Sequence, residues 1–144
     1  MTMSDQERAE KAAAALCSGD QASQHLGMNV EAISPGCAVL AMTVDARHTN
    51  GHGTCHGGVI FTLADSAFAF ACNSRNQATV AQHANVTFMA PAQVGDRLVA
   101  TAREVTQRGR SGVYDVQVTN DAGSTIAEFR GLSRMVQGTL FDEA

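Results

Sequence analysis

The chain has 144 residues, a formal net charge of −4, 44% hydrophobic and 17% charged residues, and only two prolines. This length fits one domain spanning residues 1–144, and the composition supports a buried core and argues against disorder. The negative balance predicts no nucleic-acid partner, because a duplex binder needs a basic face to displace counterions from the phosphates.

Three features bear on the compartment. The N-terminal stretch MTMSDQERAEKAAAAL lacks the basic end and apolar segment of a signal peptide, and the four cysteines form no CxxC pair. The longest apolar run, Val59 to Cys72, is interrupted by Asp65 and is shorter than the roughly 20 residues that cross a bilayer. These features predict a cytoplasmic protein with reduced thiols and no membrane partner.

The first half of the chain predicts one helix and two extended stretches. A helix is expected over about residues 4–18, because Ser4 is followed three residues later by Glu7, as in a capping box, and then by an alanine run. Two extended stretches come next, followed by a loop rich in Gly, His and Asn. The stretches span about His25–Ile33 and Cys37–Asp45, with a turn at Ser34–Gly36.

The second half predicts a long helix and then an antiparallel sheet. The central helix, about Gly57 to Asn73, is apolar on nearly every face and must be buried almost all round. Four alternating segments bounded by turn residues follow it, at about 79–90, 97–107, 111–120 and 124–136. We therefore expect an α+β fold in which an antiparallel sheet wraps around one long central helix. Such a sheet leaves an uncovered face and an edge, so a homodimer is expected.

Asp65 is the only Asp, Glu, Lys, Arg or His residue in the central helix. At 100° per residue it falls on one stripe with small or polar residues, namely Thr62, Ser66, Ala69 and Asn73. The stripe is either the solvent face of the helix or a functional site, and a solvent face usually carries Lys, Glu or Gln. Burial would raise the pKa of the carboxyl group and make it a better base near neutral pH.

The start of the same helix, His56-Gly57-Gly58, offers unpaired backbone N–H groups. Together with the helix dipole these groups suit an anion or a developing oxyanion, although the glycines could also serve only a tight turn into the helix. Asp65 lies about 12 Å along the helix from Gly57 at 1.5 Å per residue, too far for both to contact one carbonyl group. Two antiparallel copies of the helix in a dimer would bring each aspartate near the other copy's glycine.

These residues resemble the hotdog-fold acyl-CoA thioesterases, and in particular the phenylacetic acid degradation (PaaI) type. The resemblance rests on Asn50–Ser74 and Gly112–Val118 and extends more loosely over Ala12–Val136. Its signature is His56-Gly57-Gly58 followed two turns later by Leu63-Ala64-Asp65. It implies a hotdog fold, homodimers that often pair into homotetramers, and hydrolysis of acyl-CoA thioesters without a metal or other cofactor. The implied substrates are phenylacetyl-CoA and its ring-hydroxylated forms.

The resemblance also implies roles for individual catalytic residues. Asp65 would be the nucleophile or the general base for water, and Gly57 would donate its N–H to the thioester oxygen. His56 and Asn50 would orient the thioester and the loop. The sequence departs from related proteins at Ala90, where relatives often have a basic residue, and near Ala81, where some have a serine that positions water.

The hairpin Arg108, Gly109, Arg110 and Ser111 matches the segment with which relatives bind the phosphates and pantetheine of CoA. Two arginines beside a glycine turn suit phosphate chemistry. Without the resemblance, solvated charges on a surface hairpin would explain the same residues equally well.

Alternative functions remain open at this stage. His48, His52, Cys55 and His56 cluster in one loop as metal ligands can, but no CxxC or HExxH pattern appears and we predict no metal site. A hotdog dehydratase or hydratase would use a histidine and a carboxylate as acid and base, and a non-catalytic acyl-CoA-binding module would need neither. The position of Asp65 favours hydrolysis, by analogy with the family.

Overall fold

The computed structural model describes residues 2–143. The helices are α1 (Asp5–Gly19), α2 (Gln21–His25) and α3 (Gly57–Cys72), with a single 3₁₀ turn at Ala46–His48. The strands are β1 (Asn29–Ser34), β2 (Cys37–Thr43), β3 (Thr79–Phe88), β4 (Arg97–Arg108), β5 (Ser111–Thr119) and β6 (Thr125–Met135). Within this range no helix is both long and apolar enough to cross a membrane.

The six strands form one antiparallel sheet in the order β1-β2-β4-β5-β6-β3. Helix α3 packs against this sheet and contacts every strand. The side chains between them are apolar and fully buried, among them Leu63 and Ala67 on the helix and Leu98 and Val116 on the strands. The predicted α+β arrangement, a sheet around one long helix, is confirmed, and the helix begins at the predicted residue.

Helix α3 lies close to the sheet where β6 carries a glycine. A Cβ atom at Gly131 would lie 2.8 Å from two atoms of the Phe68 ring. The rings of Phe129 and Tyr114 flank Phe68 at centroid distances of 5.8 and 5.6 Å. The missing side chain at position 131 therefore makes room for the buried ring of Phe68.

The N-terminal region confirms one prediction and corrects another. Helix α1 has the predicted capping box between Ser4 and Glu7. The extended stretch predicted from His25 is wrong at its start, because residues 21–25 form α2 and β1 begins only at Asn29. The physical reason is Asp20, whose side chain accepts the Ser23 N–H as an N-cap and so starts a second helix directly after the first.

The two edges of the sheet are β1 and β3. Helix α1 packs on β1, whereas β3 pairs with β6 alone in the part of the chain that the structure describes. Large apolar side chains are exposed on and just beyond β3, where Val80, Phe88 and Met89 are 50%, 51% and 61% accessible. A ten-residue edge with unpaired backbone groups and exposed apolar side chains is suited to pairing with another chain.

Candidate active site

The loop before α3 is ordered by a buried histidine, His48. His48 accepts the Asp45 N–H at Nδ1 and donates from Nε2 to the Leu26 carbonyl oxygen, each at 2.9 Å. Its own carbonyl accepts the His56 N–H at 2.7 Å. His48 thus ties the end of α2 to the residue that caps α3, and both of its ring nitrogens are engaged within the protein.

The backbone N–H groups at the start of α3 have different partners. The Gly58 N–H donates to His56 Nδ1 at 2.8 Å, and the Val59 and Ile60 N–H groups donate to the His56 carbonyl oxygen. Among the described residues the Gly57 N–H has no acceptor. One half-buried donor is therefore free at the positive end of the helix dipole, where an oxyanion would be stabilised.

An open cavity of about 300 Å³ lies in front of this donor. It is lined by Gly57, Cys55 and Ile60 and, from the free edge of the sheet, by residues 88–91. The Phe88 ring covers Gly57 so closely that a Cβ atom at position 57 would lie 3.1 Å from it. The free N–H and the exposed end of β3 thus belong to one surface.

The two predicted orienting residues, His56 and Asn50, make different contacts. Because His56 accepts a hydrogen bond at Nδ1, its neutral ring carries the proton at Nε2, and the exposed side chain can donate that proton to a ligand. Asn50 uses its side-chain oxygen to accept the His52 and Thr54 N–H groups at 2.9 and 3.2 Å. Asn50 therefore shapes the loop itself, and its contact with substrate remains a prediction.

Asp65 lies half-buried in the middle of α3. Burial, and secondarily the negative charge of Asp20, raise the pKa of its carboxyl group. Within residues 2–143 its side chain forms no salt bridge and accepts no hydrogen bond. On the predicted stripe, Ser66 and Asn73 are buried by contacts with α2 and β3, so the stripe is not simply a solvent face. The site thus holds a partly desolvated, unpaired carboxylate.

The two buried cysteines, Cys55 and Cys72, are poor candidates for a nucleophile. Burial raises the pKa of the Cys55 thiol to about 11 and that of the Cys72 thiol to about 12. A thiol that stays protonated at neutral pH is a weak nucleophile. This argues against Cys55 beside His56 as a nucleophile–base pair.

The predicted CoA-binding hairpin lies toward the opposite end of α3 from Gly57. Strand β5 leads from the hairpin to Tyr114, which packs on Phe68 and donates to Glu104, the partner of Arg75 just beyond the helix. Arg108 and Arg110 are exposed and form no salt bridge with any described residue, and Gly109 adopts a φ of 60°. Arg110 also lines an open cavity of about 460 Å³.

A single chain therefore does not bring all of the predicted site residues together. Asp65 lies between the free N–H of Gly57 at one end of α3 and the hairpin toward the other end. The predicted site residues do not include Asp20, Ser23 and His48. The spacing of Asp20 and Ser23, an acidic cap three residues before a serine, was a visible signal for the first two.

Comparison with known proteins identifies the family of the chain. Residues 52–127 match the Thioesterase superfamily. The acyl-coenzyme A thioesterase PaaI of Escherichia coli K12 is 43% identical over 130 residues, covering 90% of this chain and 93% of that protein. Acyl-coenzyme A thioesterase 13 of Homo sapiens is 38% identical over 100 residues, covering 67% of this chain and 71% of that protein.

The solved structure of the E. coli PaaI protein matches with a TM-score of 0.92 at 42% identity, covering 94% of this chain and 99% of that one. The similarity thus extends over sequence and fold together and confirms the predicted resemblance. The sheet wrapped around α3 is a hotdog fold, and the chain belongs to the thioesterase superfamily.

Proposed function

We propose that this protein hydrolyses acyl-CoA thioesters to the free acid and CoA. The observation that carries the proposal is the pairing, on one buried helix, of an unpaired carboxylate at Asp65 with a free N–H at Gly57. The E. coli relative is named an acyl-coenzyme A thioesterase, and its structure is described as that of a protein from the phenylacetic acid degradation operon. We extend the proposal to phenylacetyl-CoA and ring-hydroxylated phenylacetyl-CoA as the substrates.

The chemistry follows from these two groups. The Gly57 N–H donates to the thioester carbonyl oxygen and stabilises the negative charge that develops there. As a general base, Asp65 takes a proton from water while the water oxygen attacks the carbonyl carbon. The C–S bond then breaks, and the CoA sulfur takes up a proton. As a nucleophile, Asp65 would instead attack the carbonyl carbon and expel the CoA thiolate, which takes up a proton, and water would hydrolyse the resulting mixed anhydride to the free acid and the Asp65 carboxylate. The raised pKa makes the Asp65 carboxylate a stronger base in the first route and a stronger nucleophile in the second.

A dimer assembles these groups into one site. Pairing of β3 with β3 of a second copy would extend the sheet and bury Val80 and Met89. It would also place the two α3 helices side by side and antiparallel, so that each Asp65 lies near the Gly57 of the other copy. We propose a homodimer on this basis and, from the family resemblance, the pairing of two dimers into a homotetramer.

We propose that the arginine hairpin, residues 108–111, binds the phosphates of CoA. Arg108 and Arg110 offer guanidinium groups without carboxylate partners, next to a glycine turn and Ser111. His56 donates from Nε2 toward the thioester, and Asn50 holds the loop that carries it. The free thiols of the described chain suit the cytoplasmic location that we propose for the enzyme.

The test is thiol release from a panel of acyl-CoAs by the wild type and by Asp65→Asn. We expect release from phenylacetyl-CoA, with kcat lowered by about 10²-fold or more in the variant because the acid–base or nucleophilic step is lost. Calorimetric titration of a CoA thioester onto the variant should show that binding persists. Turnover that survives the substitution would remove Asp65 from the mechanism. Binding without release by the wild type would support a binding module, and hydration of an enoyl-CoA without release would support a hydratase.

A further inference from the structure

The junction between α1 and α2 places a second carboxylate against the helix that carries Asp65. Asp20 caps α2, where one of its oxygens accepts the Ser23 N–H at 3.1 Å and the other accepts the Ser23 hydroxyl at 2.6 Å. Both oxygens of Asp20 are thus fixed by one residue. Such a double contact holds the carboxylate in one orientation.

Ser23 also contacts α3 through its hydroxyl group. Its hydroxyl lies 2.7 Å from the hydroxyl of Ser66, and both serines are buried. A hydroxyl group has one proton, and that of Ser23 is donated to Asp20, so Ser66 is the donor to Ser23. The chain of hydrogen bonds runs from Ser66 through Ser23 to the Asp20 carboxylate. Ser66 directly follows Asp65 in the sequence.

We propose that Asp20 is a positioning residue of the thioesterase site. Tied through Ser23 and Ser66 to the turn of α3 that carries Asp65, it holds a second negative charge beside the catalytic carboxylate. This inference rests on the proposed role of Asp65 in acyl-CoA hydrolysis. It assigns to the N-terminal helices a part in the chemistry as well as in packing.

The consequence of a fixed like charge is that Asp65 binds its proton more tightly. Burial and Asp20 both disfavour the ionised form of Asp65 and raise its pKa. Cys72 on the helix itself and Tyr114 on β5 also pack near α3, and burial raises the pKa of both, so they stay uncharged. Asp20 is thus the charged neighbour that acts on Asp65. Its repulsion makes Asp65 a stronger base once ionised.

If Asp20 acted only as the cap of α2, a substitution that keeps the cap would leave the pKa of Asp65 unchanged. Asn and Ser are as good as Asp at the N-cap position, yet they carry no charge. Asp20→Asn and Asp20→Ser therefore keep the cap and remove the repulsion. Glu10→Gln is the matched control, since it removes one negative charge from an exposed position on α1.

The experiment measures the pKa of Asp65 in two ways in the full-length protein. One is the acidic limb of kcat/KM against pH for phenylacetyl-CoA, and the other is the NMR titration of the Asp65 carboxyl carbon. We expect both Asp20 variants to shift the limb and the titration to lower pH by about 0.5 to 1 unit, and to lower the plateau of kcat by roughly threefold. Glu10→Gln should move neither.

The outcomes separate this inference from the proposed function. If the wild type hydrolyses acyl-CoA but the Asp65 titration is the same in folded Asp20→Asn, the inference alone is overturned. If the wild type releases no thiol, the proposed function fails, and the NMR titration still shows whether Asp20 acts on Asp65. Should both Asp20 variants fail to fold, Ser66→Ala leaves the α2 cap intact and frees α2 from α3. Ser66→Ala should lower the pKa of Asp65, as the Asp20 variants are expected to do, and an unchanged pKa would overturn the inference.

Discussion

At the scale of single residues, the site depends on which backbone donor at the start of α3 is left free. His56 accepts, at its side chain and its carbonyl oxygen, the backbone N–H groups of Gly58, Val59 and Ile60. The Gly57 N–H is the remaining one. A glycine is suited to this position because the Phe88 ring leaves little room for a side chain.

Gly57→Pro isolates this donor. Gly57 is the first residue of α3, where proline fits the helix, and His56 has φ −59° and ψ 133°, the conformation that a residue before proline prefers. The substitution therefore removes the N–H with little change to the fold. We expect kcat to fall by about 10²–10³-fold, as for the loss of one oxyanion donor, with only a small loss of thermal stability from the contact with the Phe88 ring.

Gly57→Ala is the matched control, because its Cβ meets the same Phe88 ring at 3.1 Å while the N–H remains. Thiol release by the two variants gives the comparison. Since Phe88 is half exposed and can shift, the alanine variant should lose far less activity than the proline variant. Equal losses in the two variants would mean that crowding, and not the donor, sets the rate.

At the scale of elements, the contact between α3 and β6 determines how closely the helix approaches the sheet. Gly131→Ala would place a Cβ 2.8 Å from the Phe68 ring, so the helix or the ring must move. We expect a loss of about 1–3 kcal/mol in the free energy of unfolding, measured by urea denaturation. An unchanged urea midpoint would show that the close contact between Phe68 and position 131 does not limit the packing of α3 on the sheet.

Ser133→Ala is the control for that experiment on the same face of β6. The Ser133 hydroxyl is buried and has no hydrogen-bond partner among the described residues. Its removal should leave the free energy of unfolding unchanged or raise it by up to about 1 kcal/mol, because an unpaired polar group is costly to bury. The two alanine variants should therefore differ in the sign or size of their effect.

The elements that could be predicted from the sequence are those with a strong local signal. The capping box of Ser4 and Glu7, the apolar run of α3 and the alternation of β3 to β6 each specify their own structure, and all are confirmed. Helix α2 was missed because five residues carry no periodicity. Its cap, Asp20, lies just beyond the predicted end of the first helix. The role of His48 was invisible, since its partner Leu26 lies 22 residues away.

At the scale of the whole molecule, the sequence predicts an antiparallel homodimer that brings Gly57 and Asp65 together, but not the surface through which the two copies pair. The sequence places Gly57 and Asp65 about 12 Å apart on α3, and the structure of one chain keeps them apart. Only the unpaired edge of β3, with Val80, Phe88 and Met89 exposed, indicates how a second copy would close the gap. Strand pairing between chains depends on the partner's surface, which local patterns do not encode.

A mixing experiment tests this assembly directly. Asp65→Asn and Gly57→Pro are each expected to be inactive as homodimers, because every site lacks one essential group. In a mixed dimer one site combines both defects, whereas the other takes its aspartate and its N–H from intact positions on different chains. Random mixing by co-expression should therefore restore about a quarter of the wild-type thiol release, since half of the dimers are mixed and each has one of two sites intact. If both groups acted within one chain, no combination of the two variants would contain an intact site, and mixing would restore nothing.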